Sequence, residues 1–238
     1  MCGRFTQSVS LTSVADKYRI AAEPLGHDLK SLLDHYDGTS VRNYNLAPSE
    51  SALLIHSHSA RRHLAAARFG IELSFGPSKA TKLIINARAE TALEKSSFTR
   101  ASRHSRAVVP ANGYFEWMAA RSTAAKTPYF IRPHNNEISS LGALCFEDKK
   151  SNKLSFVILT QAASAPLAAI HDRMPVFVAD DILSAWLNEE LSDPEETFSL
   201  LEAAQESTQA TQFEFHEVTK AVGSPTFKSH EAIEATRG

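Results

Sequence analysis

Cysteine is scarce in this chain. Its 238 residues hold two, Cys2 and Cys145, too few for a disulfide scaffold, so a reducing compartment is expected. No run of 18 apolar residues occurs, and the N-terminus lacks the basic-then-apolar layout of a secretion signal. A soluble, intracellular protein with no membrane partner is therefore expected. Strong net charge is also missing: at −2, the chain is no polybasic nucleic-acid binder by composition alone. CxxC and HExxH motifs are lacking, and His56 and His58 form an isolated pair, so neither a metal nor any other cofactor is expected. Internal repeats and low-complexity linkers are absent too, which favours a single domain over residues 1–238.

The charge that is present is unevenly spread. Residues 1–133 carry 18 Lys and Arg against 10 Asp and Glu, whereas residues 134–238 carry 7 against 17. Arg61, Arg62, Arg68 and the stretch "RASRHSR" (Arg100, Arg103, Arg106) lie in the basic part, as an anionic polymer would favour; a solvated face on each half explains the split equally well.

Helical spacing is confined to a few segments. "SLTSVADKYR" places Leu11, Val14, Ala15 and Tyr18 behind a Ser10 cap, and "DDILSAWLNEE" repeats the pattern with Ile182, Leu183, Trp186 and Leu187. Short apolar or alternating runs predict strands in "SALLIHSH", "KLIINAR", "RAVVPANGYFEW", "TPYFIRP", "ISSLGALCF", "LSFVILT", "MPVFVA" and "TQFEFHEV". "YDGTSVRNYNLAPSE" reads as a long irregular connection, and Asn112-Gly113 as a hairpin turn. Many short strands with few helices predict an α+β fold on a curved, barrel-like, mainly antiparallel sheet. Cys145, in an apolar run, is expected to be buried.

Some polar residues break this pattern. Cys2 directly follows Met1, and removing that methionine would leave an α-amine (about 7.7–8.0) and a thiol (about 8.5) on one residue. Asn86 and Arg88 share a strand face by the two-residue period. Glu116 faces away from Phe115 and Trp117 in an aromatic strand, a placement suited to proton transfer. His171, Asp172 and Arg173 precede Pro175. Each has a bland alternative: a permissive second position, a turn asparagine, an Arg88–Glu90 pair, a solvent-facing strand glutamate, a loop histidine.

In combination, "MCGRFT", "YNLAPSE", "INARAET", "VPANGYFEW", "KTPYFI" and "HDRMPVFV" resemble the SRAP family, the SOS-response-associated peptidases, across most of residues 1–180. The resemblance implies a single-stranded DNA groove with Cys2 as reactive centre, surrounded by the further catalytic residues Asn86, Glu116 and His171. It also implies DNA contacts from Arg4, Arg88, Arg173, Asn45, Pro48, Phe75 and Trp117. The implied activity is covalent capture of abasic sites through a thiazolidine, with self-processing peptidase and lyase chemistry. The implied protein is a monomer in the cytoplasm, moving to the nucleoid on DNA damage, or nuclear in a eukaryotic source. Where the family carries a "RWGLIPSW"-like segment this chain reads "RFGIELSF", so Phe69 and Phe75 stand for tryptophans and Leu73 for the proline. Two other readings stay open: a non-covalent reader of single-stranded or modified DNA, and an amidohydrolase with an N-terminal cysteine nucleophile.

Overall fold

The computed structural model describes residues 2–21, 25–75, 80–119, 126–134 and 137–236, with Phe75 described by its backbone alone. In chain order the strands are β1 (Phe5–Ser10), β2 (Ser40–Leu46), β3 (Ser51–His58), β4 (Arg61–Phe69), β5 (Ile71–Phe75), β6 (Ala80–Ile84) and β7 (Asn86–Arg88). There follow β8 (Arg106–Ala111), β9 (Gly113–Ala119), β10 (Lys126–Pro133), β11 (Ser139–Asp148), β12 (Lys153–Ala162), β13 (Arg173–Pro175) and β14 (Phe213–Glu217). The helices are α1 (Leu11–Tyr18), α2 (His27–Asp34), α3 (Thr99–His104), α4 (Leu183–Trp186) and α5 (Pro194–Ala210). The fold is α+β and mostly antiparallel.

Two sheets carry most of the strands. One runs in the order β14-β10-β9-β1-β2. The other runs β11-β8-β3-β4-β12-β13, with β7 also on β12, and curls until β12 meets both β4 and β11. β5 and β6 form a separate antiparallel pair. The main core lies between the curled sheet and α1, α2, α4 and α5, around Tyr18, Leu53, Ile55, Val157 and Trp186. A second apolar cluster, holding Phe5, Leu54, Phe69, Tyr114, Phe156 and Ile158, fills the space between the two sheets and includes Cys2.

The chain passes from one sheet to the other at Asn112-Gly113. This dipeptide is a step between sheets, because β8 pairs with β3 and β11 while β9 pairs with β1 and β10. The Asn112 side chain secures the step, accepting from Ser8 N at 2.6 Å and donating to Glu137 O at 2.9 Å. Gly113 is required by close approach: a Cβ there would lie 2.5 Å from the Phe130 ring and 2.7 Å from Ile131 O.

Several expectations need correction. "YDGTSVRNYNLAPSE" contains a full strand, β2, paired to β1. It reads as a loop because Asn43 and Asn45, both buried, occupy inward positions where side-chain hydrogen bonds replace apolar packing. The helix in "DDILSAWLNEE" shrinks to α4, and the strand in "MPVFVA" to β13. "KLIINAR" divides into β6, paired with β5, and β7, paired with β12. Arg106 is buried and gives donors to five carbonyl oxygens, of Ser102, Arg103, Trp186, Asn188 and Leu191, which withdraws it from any anionic partner.

The sheets are tied together by Gln7. Its buried carboxamide donates to Leu53 O (3.1 Å) and Pro110 O (2.8 Å) and accepts from Leu53 N (2.7 Å). Gln7→Leu leaves these main-chain groups buried and unpaired, at a cost on the order of 3 kcal/mol. The expected outcome is a melting temperature lower by about 6–12 °C, read by calorimetry.

Candidate functional site

The site forms where the N-terminus crosses the seam between the sheets. β1 pairs with β9 in the register Phe5↔Tyr114, and Phe115 N donates to Arg4 O at 2.9 Å. Continuing that register sets Gly3 opposite Glu116 and brings Cys2 alongside it. On the other side, β7 pairs in parallel with β12, matching Asn86 to Ile158 and Arg88 to Thr160. Asn86 Nδ2 donates to Cys2 O at 3.0 Å, so the strand end grips the Cys2 main chain directly. Asn86 Oδ1 is buried with no partner among the described residues.

Cys2 is fully buried and Glu116 is 3% exposed. Burial pushes the Cys2 thiol well above the ordinary thiol range, and the Glu116 charge pushes it further the same way. The buried Tyr114 hydroxyl is also raised, first by burial and then by Cys2 and Glu116, which marks these three groups as neighbours. The two-residue period could have found Tyr114, since it shares a strand face with Glu116.

His171 closes the site from the segment before β13. Its Nε2 lies 4.0 Å from Glu116 Oε2. Its Nδ1 accepts from Arg173 N at 3.0 Å and lies 2.9 Å from Asp172 Oδ1. Nδ1 thus stands between a main-chain N–H and a carboxylate, while Nε2 faces Glu116. The arrangement therefore sets a carboxyl group and an imidazole 4.0 Å apart near a buried thiol.

The remaining expected site residues lie in separate places. Arg88 is exposed and makes no side-chain hydrogen bond or ion pair among the described residues. Arg173 is instead held by Glu90, Nη1 to Oε1 at 2.7 Å and Nη2 to Oε2 at 2.8 Å; Glu90 thus pairs with Arg173 and not with Arg88. Arg4, Asn45 and Trp117 gather at the C-terminal segment. Arg4 donates to Asn45 Oδ1, Val222 O and Gly223 O, and Asn45 donates to Val222, Ser224 and Phe227 carbonyls. Trp117 packs half-buried against the cluster of Phe115, Phe130, Val218, Val222 and Ala232. Pro48 is half-buried in the turn after β2, where Ser49 takes φ +74°. Phe69 is buried between Phe5 and Phe156, whereas Met1 and the Phe75 side chain lie outside the described residues.

Comparison with known proteins gives this geometry its family. The model of the SOS response associated peptidase (SRAP) family matches residues 1–225. The chain belongs to the SRAP family. It is similar to the abasic site processing protein YedK of Escherichia coli K12, 31% identical over 98% of this chain and 99% of the relative. The abasic site processing protein YoqW of Bacillus subtilis is 29% identical over 99% of this chain and all of the relative. Among solved structures, a Bacteroides thetaiotaomicron protein superposes with TM-score 0.75 at 21% identity, covering 99% of this SRAP chain and 100% of that chain, which supports the fold. Among the described residues, no three His, Cys, Asp or Glu side chains gather as a metal would need, and no helix is long and apolar enough to cross a membrane.

The burial of both cysteines has a direct readout. The Cys2 thiol is raised as described, and burial pushes Cys145 up to about 12. A raised pKa means the thiolate populates only at strongly alkaline pH, so neither thiol should react with a disulfide reagent at pH 8 in the native protein. Two thiols should react after denaturation in urea, as absorbance titration would record.

Proposed function

We propose that this SRAP protein processes abasic sites in single-stranded DNA by capturing them on Cys2 after Met1 is removed. The observation that carries the reading is the placement of Cys2, with its main chain gripped by Asn86 and its side chain beside Glu116, which His171 in turn faces. The relatives named as abasic site processing proteins support the substrate class. The peptidase chemistry of the family description comes to this chain as removal of Met1, and the whole function is carried on one domain.

An abasic site exposes an aldehyde when its sugar ring opens. The unprotonated α-amine of Cys2 attacks that carbonyl carbon, forming a C–N bond, and loss of water gives an iminium. Sγ then attacks the iminium carbon, its proton passes to Glu116, and the electron pair of the C=N bond returns to nitrogen. The net balance is amine, thiol and aldehyde in, five-membered thiazolidine and one water out. His171 supplies or accepts the proton at the sugar hydroxyl during ring opening, and Glu116 serves the carbinolamine and imine steps. Asn86 fixes the Cys2 main chain, and its unpartnered Oδ1 is an acceptor for the freed amine. Reversal to the imine provides the lyase route and eventual release.

Binding draws on cations and aromatic faces in the way single strands require. Arg88 is open to a phosphate, and Trp117 offers a partly exposed ring for base stacking. Affinity is expected to fall with salt and to favour single strands over intact duplex.

The test is incubation with an oligonucleotide carrying one abasic site, followed by a denaturing gel and intact-mass analysis. Wild type is expected to give a covalent adduct only in molecules lacking Met1, and to give it faster as pH rises through the amine range of about 7.7–8.0. Cys2→Ala should give none. Glu116→Gln should slow both formation and reversal of the adduct by about 10²-fold or more with noncovalent affinity unchanged. An adduct formed by Cys2→Ala, or by protein that retains Met1 throughout, overturns the mechanism.

A further inference from the structure

Arg88 and Arg173 occupy matching places on the two sides of β12. Arg88 pairs with Thr160 through β7, and Arg173 pairs with Ala162 through β13. Thr160 and Ala162 point to the same sheet face, and cross-strand partners share a face, so all four residues project together. The two arginines thus flank one strand, their main chains separated by about 10 Å across the sheet. Asn86 belongs to the same face through its pairing with Ile158. Two cations so placed could hold one anionic chain.

Their states differ. Arg88 is exposed and unengaged among the described residues, whereas Arg173 is 14% exposed and covered by Glu90, which is 40% exposed. Both terminal nitrogens of Arg173 meet the Glu90 carboxylate in a parallel, two-bond pairing, and Nη2 donates also to Thr160 O at 2.6 Å. Arg173 Nε is buried without a hydrogen-bond partner among the described residues. The fork that faces outward is therefore filled by a carboxylate, the group whose two oxygens most resemble those of a phosphodiester. Burial alone would raise the Glu90 carboxyl, but the Arg173 guanidinium outweighs it and holds the group below the ordinary carboxylate range. Glu90 is consequently anionic at neutral pH.

We infer that Glu90 is an anionic placeholder on Arg173, which a DNA phosphate must displace before the strand is held on both sides of β12. The inference rests on the proposed single-stranded DNA function. It adds a specificity-determining residue that touches neither the aldehyde nor Cys2. Arg88 makes the first, unconditional contact. Arg173 becomes available only to a phosphate positioned well enough to replace Glu90, so loosely placed undamaged strands gain one contact and a properly seated strand gains two. The carboxylate also repels phosphates that approach without displacing it.

The experiment measures noncovalent binding of an undamaged fluorescent oligonucleotide by anisotropy, in a Cys2→Ala background and over a salt series. Glu90→Gln is expected to tighten binding by about 3-fold to 10-fold. It should also steepen the dependence of log affinity on log salt by about 0.7, one further phosphate contact. Adding Arg173→Ala should erase both gains, and Glu90→Ala should reproduce them if the glutamine variant folds poorly. Equal or weaker binding by folded Glu90→Gln and Glu90→Ala overturns the inference and assigns the pair to holding β13 in place. A gain that survives Arg173→Ala also overturns it, since the effect would then be general charge removal. Failure of every protein, the Cys2→Ala parent included, to bind single strands overturns this inference together with the proposed function, whereas binding without an abasic-site adduct in wild type removes only the covalent mechanism.

Discussion

A proline in the middle of the curled sheet sets the problem that the rest of the molecule is arranged around. β3 and β8 pair with Ile55 opposite Val108, which places Leu53 opposite Pro110. Proline has no N–H to give, so the ladder cannot continue there. The Gln7 carboxamide enters at this point and behaves as a displaced peptide group, donating to the carbonyls of Leu53 and Pro110 and accepting from Leu53 N. A broken ladder inside a core would otherwise leave buried main-chain groups unpaired, so the repair also determines where β1 must lie. Cys2 sits five residues upstream of that anchor. Its position over the end of β7 follows from the same constraint, strengthened by the Asn86 bond to its carbonyl.

The site is accordingly assembled from pieces that no single sheet could supply. Glu116 comes from β9 in one sheet, Asn86 from β7 in the other, and His171 from the chain entering β13. Asn112 and Gly113 permit this because they move the chain between sheets within two residues. The close contact at Gly113 with Phe130 keeps β9 tight against β10, and thereby keeps Glu116 facing the seam. Arginines serve the same architecture. Arg106 caps the carbonyl end of α4 at Trp186 and holds the following turn at Asn188 and Leu191. Arg4, Arg62 and Arg103 likewise give donors to main-chain carbonyls. The basic excess of the first half is therefore partly structural.

What the sequence made legible follows from how local each signal is. The Ser10 cap of α1 and the bounds of β3 depend on neighbours in the chain, and both are seen as the pattern predicts. The shared face of Asn86 and Arg88 is equally local, since β7 is a regular strand. β2 was hidden because its inward asparagines are satisfied by Arg4, Glu50 and the C-terminal segment, partners that are distant in sequence. α5 falls in the C-terminal stretch where helices are expected before the last strand, and its start is marked by Asp193, Pro194, Glu195 and Glu196, with the Asp193 side chain accepting from Glu195 N and Glu196 N. Its weak amphipathic pattern left only the cap to read. The Glu90–Arg173 pairing joins residues 83 apart, and no spacing rule reaches that far.

The electrostatics of Cys2 also bear on the order of steps under the proposed mechanism. In the chain that retains Met1, burial and a neighbouring carboxylate raise the Cys2 thiol, so little of it is ionised near neutral pH and it is a poor first nucleophile. An α-amine needs no such ionisation, only the loss of a proton near its ordinary pKa. The amine should therefore attack the aldehyde first and create an iminium, whose positive charge stands next to the thiol. That charge lowers the cost of forming a thiolate at the moment it is needed, while Glu116 is at hand to take the proton. Under the proposed mechanism, burial that silences the thiol in the resting protein would restrict it to the one electrophile generated beside it, and the carboxylate that suppresses its ionisation would become the base that completes the ring.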